Sequence, residues 1–170
     1  CAMRNLLKVF KLLIFTLCLY FSQVAIANDV TADVEVPFGI RHYDIGAAQN
    51  FTLNDIDGEK FEFNNTKSHW VFLHFWASWC GPCREEMPAV QKLSEAMQGK
   101  NFQIIMINTA EDEDTIFEFL GSINVDLNSL MDVDGIVTEI WKPRGLPTTF
   151  FIDPNGEVKY QAIGGREWEK

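Results

Sequence analysis

Histidine is scarce in this sequence, and none follows residue 74. The three that occur, His42, His69 and His74, make no His-x-x-x-His pair. Cysteine is scarce as well: Cys1, Cys18, Cys80 and Cys83 are the full set, so there is no second Cys-x-x-Cys. A zinc or copper site therefore lacks most of its usual donors. So few cysteines also exclude a structural disulfide framework. Positive charge is in short supply, with 14 Lys and Arg against 24 Asp and Glu and a net charge of -10. That argues against nucleic acid or an anionic membrane surface as the main partner, and solubility is the simplest meaning of the acidity. Internal repeats and low-complexity tracts are missing, which leaves out solenoids and disordered arrays.

What is present is apolar. Hydrophobic residues make up 47% of the chain and 14 are Phe, enough for a core in one domain. Cys1 and Ala2 precede Met3 and are set aside as a remnant. Residues 3–27 read as a secretory signal peptide. Arg4, Lys8 and Lys11 form its basic start, Leu12 to Phe21 its apolar centre, and Ala25-Ile26-Ala27 its cleavage site. The rival reading is an uncleaved anchor, but the apolar stretch is short of the roughly 20 residues a span needs. Cys18 lies in the apolar centre and leaves with the leader, so the mature chain is expected to start at Asn28 with two cysteines. Residues 28–47 show no clear period and are expected to be an irregular lead-in. Residues 48–170 are expected to form the folded domain.

That domain is organised around Trp79-Cys80-Gly81-Pro82-Cys83. An apolar run, Trp70 to Trp76, precedes it, and a helix-like run to about Met97 follows. Two thiols two residues apart on the first turn of a helix can close a small disulfide ring. The positive end of the helix favours a thiolate at Cys80. Pro82 suits a first turn, where its missing N–H breaks no bond. The chemistry this predicts is thiol–disulfide exchange, with Cys80 attacking and Cys83 resolving.

Two stretches carry a resemblance. Phe75-Trp76-Ala77-Ser78-Trp79-Cys80-Gly81-Pro82-Cys83-Arg84-Glu85-Glu86-Met87-Pro88 and the downstream Gly145-Leu146-Pro147-Thr148-Thr149-Phe150-Phe151-Ile152-Asp153 resemble the thioredoxin superfamily, in particular its TlpA/ResA-like exported branch. The resemblance covers roughly Val36 to Gly165. It implies an α/β thioredoxin fold: a central mixed sheet flanked by helices, with an N-terminal β-hairpin extension.

The residues agree with that outline. Apolar and polar positions alternate on both sides of Asp57-Gly58 between Asn50 and Phe63, a hairpin signal. Lys67 to Phe75 and Phe102 to Asn108 read as buried strands. The active-site helix, Cys80 to Met97, contains Pro88, which should kink it. Its core stripe is expected at Ala89, Val90, Leu93, Ala96 and Met97. A second helix should run from Asp112 to Ile123, and the acids Glu111 to Asp114 read as its start rather than as a metal site. A short strand at Leu127 to Met131, a short helix at Asp134 to Trp141, and strands at Thr148 to Ile152 and Val158 to Ile163 complete the pattern. Asp153-Pro154-Asn155-Gly156 is a turn. Arg166 to Lys170 would open a last helix. Members of the resembled branch continue there, so a shortened product or an exposed sheet face is expected.

The resemblance also implies roles. Pro147 would follow a cis bond and leave the backbone of Leu146 free to dock an extended peptide. Trp79, Gly81 and Pro82 would line the same substrate groove. Glu86, one helical turn after Cys83, would sit partly buried behind the pair and move the proton of the resolving thiol. His74 is a departure, because thioredoxin has a buried Asp six residues before its first cysteine. The ordinary reading of His74 is a satisfied core histidine; the other is a buried base near the thiols.

The expected function is an extracytoplasmic protein-disulfide oxidoreductase, monomeric and without a cofactor. Its partners would be dithiol or disulfide-bonded proteins and a membrane thiol–disulfide electron donor, with no nucleic acid. Gly-Pro between the cysteines resembles the reducing members, and apocytochrome c is one substrate class the resemblance implies. The alternatives are a thioredoxin-fold copper chaperone and a non-catalytic binding module.

Overall fold

The computed structural model describes residues 36–65 and 68–168. The expected leader, with its apolar centre and cleavage site, lies outside them. Eight strands form one mixed sheet: β1 (Ile40–Ala47), β2 (Thr52–Asp55), β3 (Lys60–Glu62), β4 (Trp70–Trp76), β5 (Phe102–Thr109), β6 (Leu130–Asp132), β7 (Thr148–Ile152) and β8 (Glu157–Ile163). Their order is β1-β8-β7-β4-β5-β6-β2-β3. Among the described residues, three α-helices flank it: α1 (Gly81–Met97), α2 (Glu113–Ile123) and α3 (Ile136–Trp141).

β4 is central because it is apolar on both faces. It runs parallel to β5 and antiparallel to β7. Alternation along the strand sorts its side chains. Val71, Leu73 and Phe75 join the core cluster that α3 covers through Val137 and Trp141. Phe72 and Trp76 join the other cluster, with Met87 and Val90 of α1 and Ile116, Phe119 and Leu120 of α2. His74 falls between Phe72 and Trp76, so it points toward α1. Full burial of a large apolar side chain is worth about 1.5–3 kcal/mol, and β4 brings four such residues, Phe72, Leu73, Phe75 and Trp76, to zero exposure. That concentration fixes the strand leading into the cysteine loop.

The hairpin forms as expected. β2 and β3 pair antiparallel across Asp57-Gly58, and Gly58 takes the positive φ of 79° the turn requires. The turn after β7 also forms: Asp153 Oδ1 accepts the N–H groups of Asn155 and Glu157 at 2.9 and 3.0 Å. Asp112 caps α2 by accepting the Thr115 N–H at 2.8 Å.

Three expectations change. The sheet begins at Ile40, inside the stretch expected to be irregular, because β1 pairs with β8. A break in register between His42 and Gly46 removes the two-residue period that would reveal an edge strand. On α1 the buried residues are Cys83, Glu86, Met87 and Val90, while Ala96 is exposed. Finally, residues 166–168 form no helix. They run as a strap beside the N-terminus of α1, and the backbone N–H of Arg166 is taken by Glu86.

Candidate active site

β4 ends at Trp76 and the chain turns immediately into α1. Cys80 is the N-cap residue of that helix, with extended backbone, and its Sγ accepts the Cys83 N–H at 3.2 Å. Pro82 lies in the first turn, as its missing donor allows. Cys80 and Cys83 are joined in a disulfide with Cα atoms 5.2 Å apart. Cys83 is fully buried and Cys80 nearly so, whereas Trp79 stands 70% exposed at the rim. Attack from outside therefore reaches Cys80 first. When the bond opens, the Cys83 N–H and the helix terminus favour negative charge on the Cys80 sulfur. A Cβ on Gly81 would meet nothing within 4 Å, so no close contact demands glycine there.

The loop before Cys80 is held from β5. The Glu111 carboxylate accepts the Ser78 N–H at 2.7 Å, the Ser78 hydroxyl, and the Asn108 side-chain amide at 2.7 Å. Glu111 was expected to belong to the acids opening α2. It is a loop anchor instead, and Asp112 does the capping.

Leu146–Pro147 is a cis peptide. Thr148 stands opposite Phe75, which sets Pro147 level with the end of β4. Leu146 is half-buried and packs on the cluster containing Cys80 and Cys83. The Pro147 carbonyl accepts the Gly164 N–H at 2.9 Å. The strap continues from Gly164 past Pro82. A Cβ on Gly165 would lie 2.8 Å from the Pro82 carbonyl oxygen, so only glycine lets the backbones approach so closely.

Glu86 lies on the buried face of α1, a turn beyond Cys83, with 3% of its surface exposed. Its Oε2 accepts the Arg166 N–H and the Trp168 Nε1–H, each at 3.1 Å. Its Oε1 lies 3.0 Å from His74 Nε2. That approach is close enough for an ion pair but off the line of a hydrogen bond, and neither atom has an aligned partner. Burial holds the Arg166 guanidinium below its ordinary value, with nearby Glu86 acting in the opposite direction. Trp168 packs edge-on against Phe72, ring centres 4.8 Å apart. Pro82, Glu85, Glu86, Gly165, Arg166 and Glu167 line an open depression of about 310 Å³ beside the pair.

The structure thus gathers Cys80, Gly81, Pro82, Cys83, Glu86, Leu146 and Pro147, with Trp79 at the edge. Sequence reasoning missed Glu111, Ser78 and the strap residues Gly165, Arg166 and Trp168. Among the described residues no group of three or more His, Cys, Asp or Glu is placed to hold a metal ion.

A family model described as the AhpC/TSA family matches residues 46–161. The chain belongs to that family. Thiol-disulfide oxidoreductase ResA of Bacillus subtilis is 33% identical over 111 residues, which span 65% of this chain and 62% of the relative. Thiol-disulfide oxidoreductase ResA of Halalkalibacterium halodurans is 34% identical over 118 residues, spanning 69% and 67%. Among solved structures, a Chlorobium tepidum protein described as thiol:disulfide interchange protein DsbE has a TM-score of 0.67 and 29% identity, over 74% of this chain and 89% of that one. StoA of Bacillus subtilis has a TM-score of 0.63 and 25% identity, over 71% and 92%. This family member has the thioredoxin fold and is a thiol-disulfide oxidoreductase of the ResA/DsbE type.

Proposed function

We propose that this oxidoreductase works outside the cytoplasm as a reductase of protein disulfides, taking its electrons from a membrane thiol–disulfide donor. One observation carries the mechanism: the cysteine pair has one sulfur at the helix cap and the other buried beside a buried carboxyl. In the reduced protein, the Cys80 thiolate attacks one sulfur of a substrate disulfide. A mixed disulfide forms and the first substrate thiolate leaves. Cys83 then gives its proton to Glu86, and its sulfur attacks Cys80 Sγ. The second substrate thiolate leaves, and the Cys80–Cys83 bond is restored. The substrate gains two electrons, and the donor dithiol, becoming a disulfide, later supplies two more that reduce the pair again. Leu146, preceding Pro147, offers its backbone to the substrate strand, and exposed Trp79, with Gly81 and Pro82, lines the groove.

Export is supported by the basic and apolar pattern of residues 3–27, and the chain is proposed to act as a monomer. Apocytochrome c and a general set of proteins are both substrates consistent with the reading. Among the described residues no helix is long and apolar enough to cross a membrane. The test is the reduction potential of the Cys80–Cys83 pair, measured by equilibration with dithiothreitol or glutathione. A value near thioredoxin's, about -270 mV, supports a reductase. A value near about -120 mV reverses the direction to an enzyme that introduces disulfides.

A further inference from the structure

His74 is fully buried on the central strand, yet it is polar. An unpartnered buried polar group is destabilising, so what its two nitrogens face matters. Nδ1 lies 2.9 Å from Thr149 Oγ1, directly across the β4–β7 pairing. A hydroxyl donates or accepts by rotating, so Thr149 accommodates the imidazole with or without a proton on Nδ1. Nε2 faces only Glu86 Oε1, at 3.0 Å.

The two oxygens of Glu86 are not equivalent. Oε2 already accepts from two N–H groups of the strap. A proton placed there would have to displace them. A proton arriving at Glu86 therefore lodges on Oε1, the oxygen without an aligned partner, and that oxygen looks at His74 Nε2, which also lacks one. These two atoms face each other at 3.0 Å, and neither has another partner.

We propose that His74 is a positioning residue for the exchange reaction, one that acts through Glu86: it holds Oε1 and takes the proton Glu86 collects from the Cys83 thiol. This rests on the dithiol–disulfide reading above. The proton passes from the Cys83 sulfur to Glu86 Oε1 and then to His74 Nε2. Cys83 becomes a thiolate, Glu86 returns to a carboxylate, and His74 becomes an imidazolium whose Nδ1–H donates to Thr149. When a donor dithiol opens the Cys80–Cys83 bond, the Cys83 sulfur leaves as a thiolate and the same proton returns. Among the described residues, the charged and titratable groups on the elements around the pair are few. α1 supplies Glu86 and Cys83, with Glu85 exposed beside them, and the strap supplies Arg166 and Glu167. Opposite His74, β5 and β7 place only Met106 and Thr149.

The test joins a measurement on the unaltered protein to a variant series. The imidazole titration of His74 is followed by NMR in the oxidised and the reduced protein, with His42 and His69 as internal references. The expected result is a midpoint that differs between the two redox states for His74 alone. Identical midpoints overturn the proposal, and this arm needs no variant to fold. In the second arm, exchange rates are measured against pH for His74→Asn, His74→Gln, Glu86→Gln and the His74→Asn/Glu86→Gln double variant. General acid–base groups contribute on the order of 100-fold or more, and a group one step removed is expected to give about tenfold. His74→Asn should lose about tenfold near neutrality and one inflection of the profile. His74→Gln, which still reaches toward Oε1, should recover part of the rate but not the inflection. The double variant should be no slower than Glu86→Gln. A His74→Asn profile with every inflection retained overturns the proposal while leaving exchange itself intact. Failure of the underlying reading shows differently, as unaltered protein without a redox transition.

Discussion

Glu111, just beyond the end of β5, binds both the backbone N–H and the hydroxyl of Ser78, two residues ahead of Cys80. The loop that presents the cysteine pair is thus tied to the strand beside β4 as well as to β4 itself. Asn108 donates to the same carboxylate and fixes its direction. Replacing Glu111 by Ala leaves three donors without their acceptor. We expect a stability loss of about 1–3 kcal/mol, measured by chemical denaturation of the oxidised protein. Exchange should slow as well, because the loop loses its second attachment. Unchanged rates in a destabilised variant would limit Glu111 to a structural part.

The two cysteines are predicted to behave differently. Cys80→Ser should abolish exchange, since buried Cys83 cannot reach an incoming disulfide. Cys83→Ser should accumulate mixed disulfides through Cys80, visible on non-reducing gels. Capture by Cys80→Ser and not by Cys83→Ser would reverse the assignment.

Gly165 is predicted to tolerate no side chain. In Gly165→Ala the new Cβ lies 2.8 Å from backbone oxygen of Pro82, which cannot swing aside. Overpacking of this kind costs about 1–3 kcal/mol. The strap would shift, and Arg166 and Trp168 would lose their hold on Glu86 Oε2. A lower melting temperature together with altered indole emission is the expected signature; an unchanged melting curve would show that the strap moves freely.

Acid sensitivity should trace in part to the turn after β7. Burial pushes the Asp153 carboxyl up, but the N–H groups of Glu157 and Asn155, the Asn155 side chain and nearby Lys159 outweigh it, so the group is held below its ordinary 3.8. A carboxyl lowered in the folded state stabilises the fold above 3.8, and that contribution fades as pH falls through the lower folded value. Asp153→Asn keeps an acceptor but cannot titrate. It should be less stable than the unaltered protein near neutrality, and the gap should narrow in acid. Parallel stability curves across that range would remove Asp153 from the account.

The elements with an uninterrupted pattern were legible in the sequence. β4, β5 and β7 are short apolar runs bounded by polar turns, α1 follows a cysteine cap, and Asp57-Gly58 names its own turn. β1 was not legible, because its bulge destroys the alternation that marks a half-buried strand. The stripe on α1 was misread because Glu86, a charged residue, occupies a core position. A pattern of apolar letters cannot reveal that a partner waits there.

The sequence by itself determined the chemistry: two thiols at a helix start, on a strand–loop–helix whose local signals all agree. It also placed Glu86 near them, since one helical turn is a local distance. What only the tertiary structure decided is what surrounds that carboxyl. His74 lies on β4, and Arg166 and Trp168 lie 80 and 82 residues beyond Glu86. Their meeting depends on strand register, side-chain parity and the path of the strap after β8. Those are set by the packing of the whole sheet, and no stretch of the chain carries them alone.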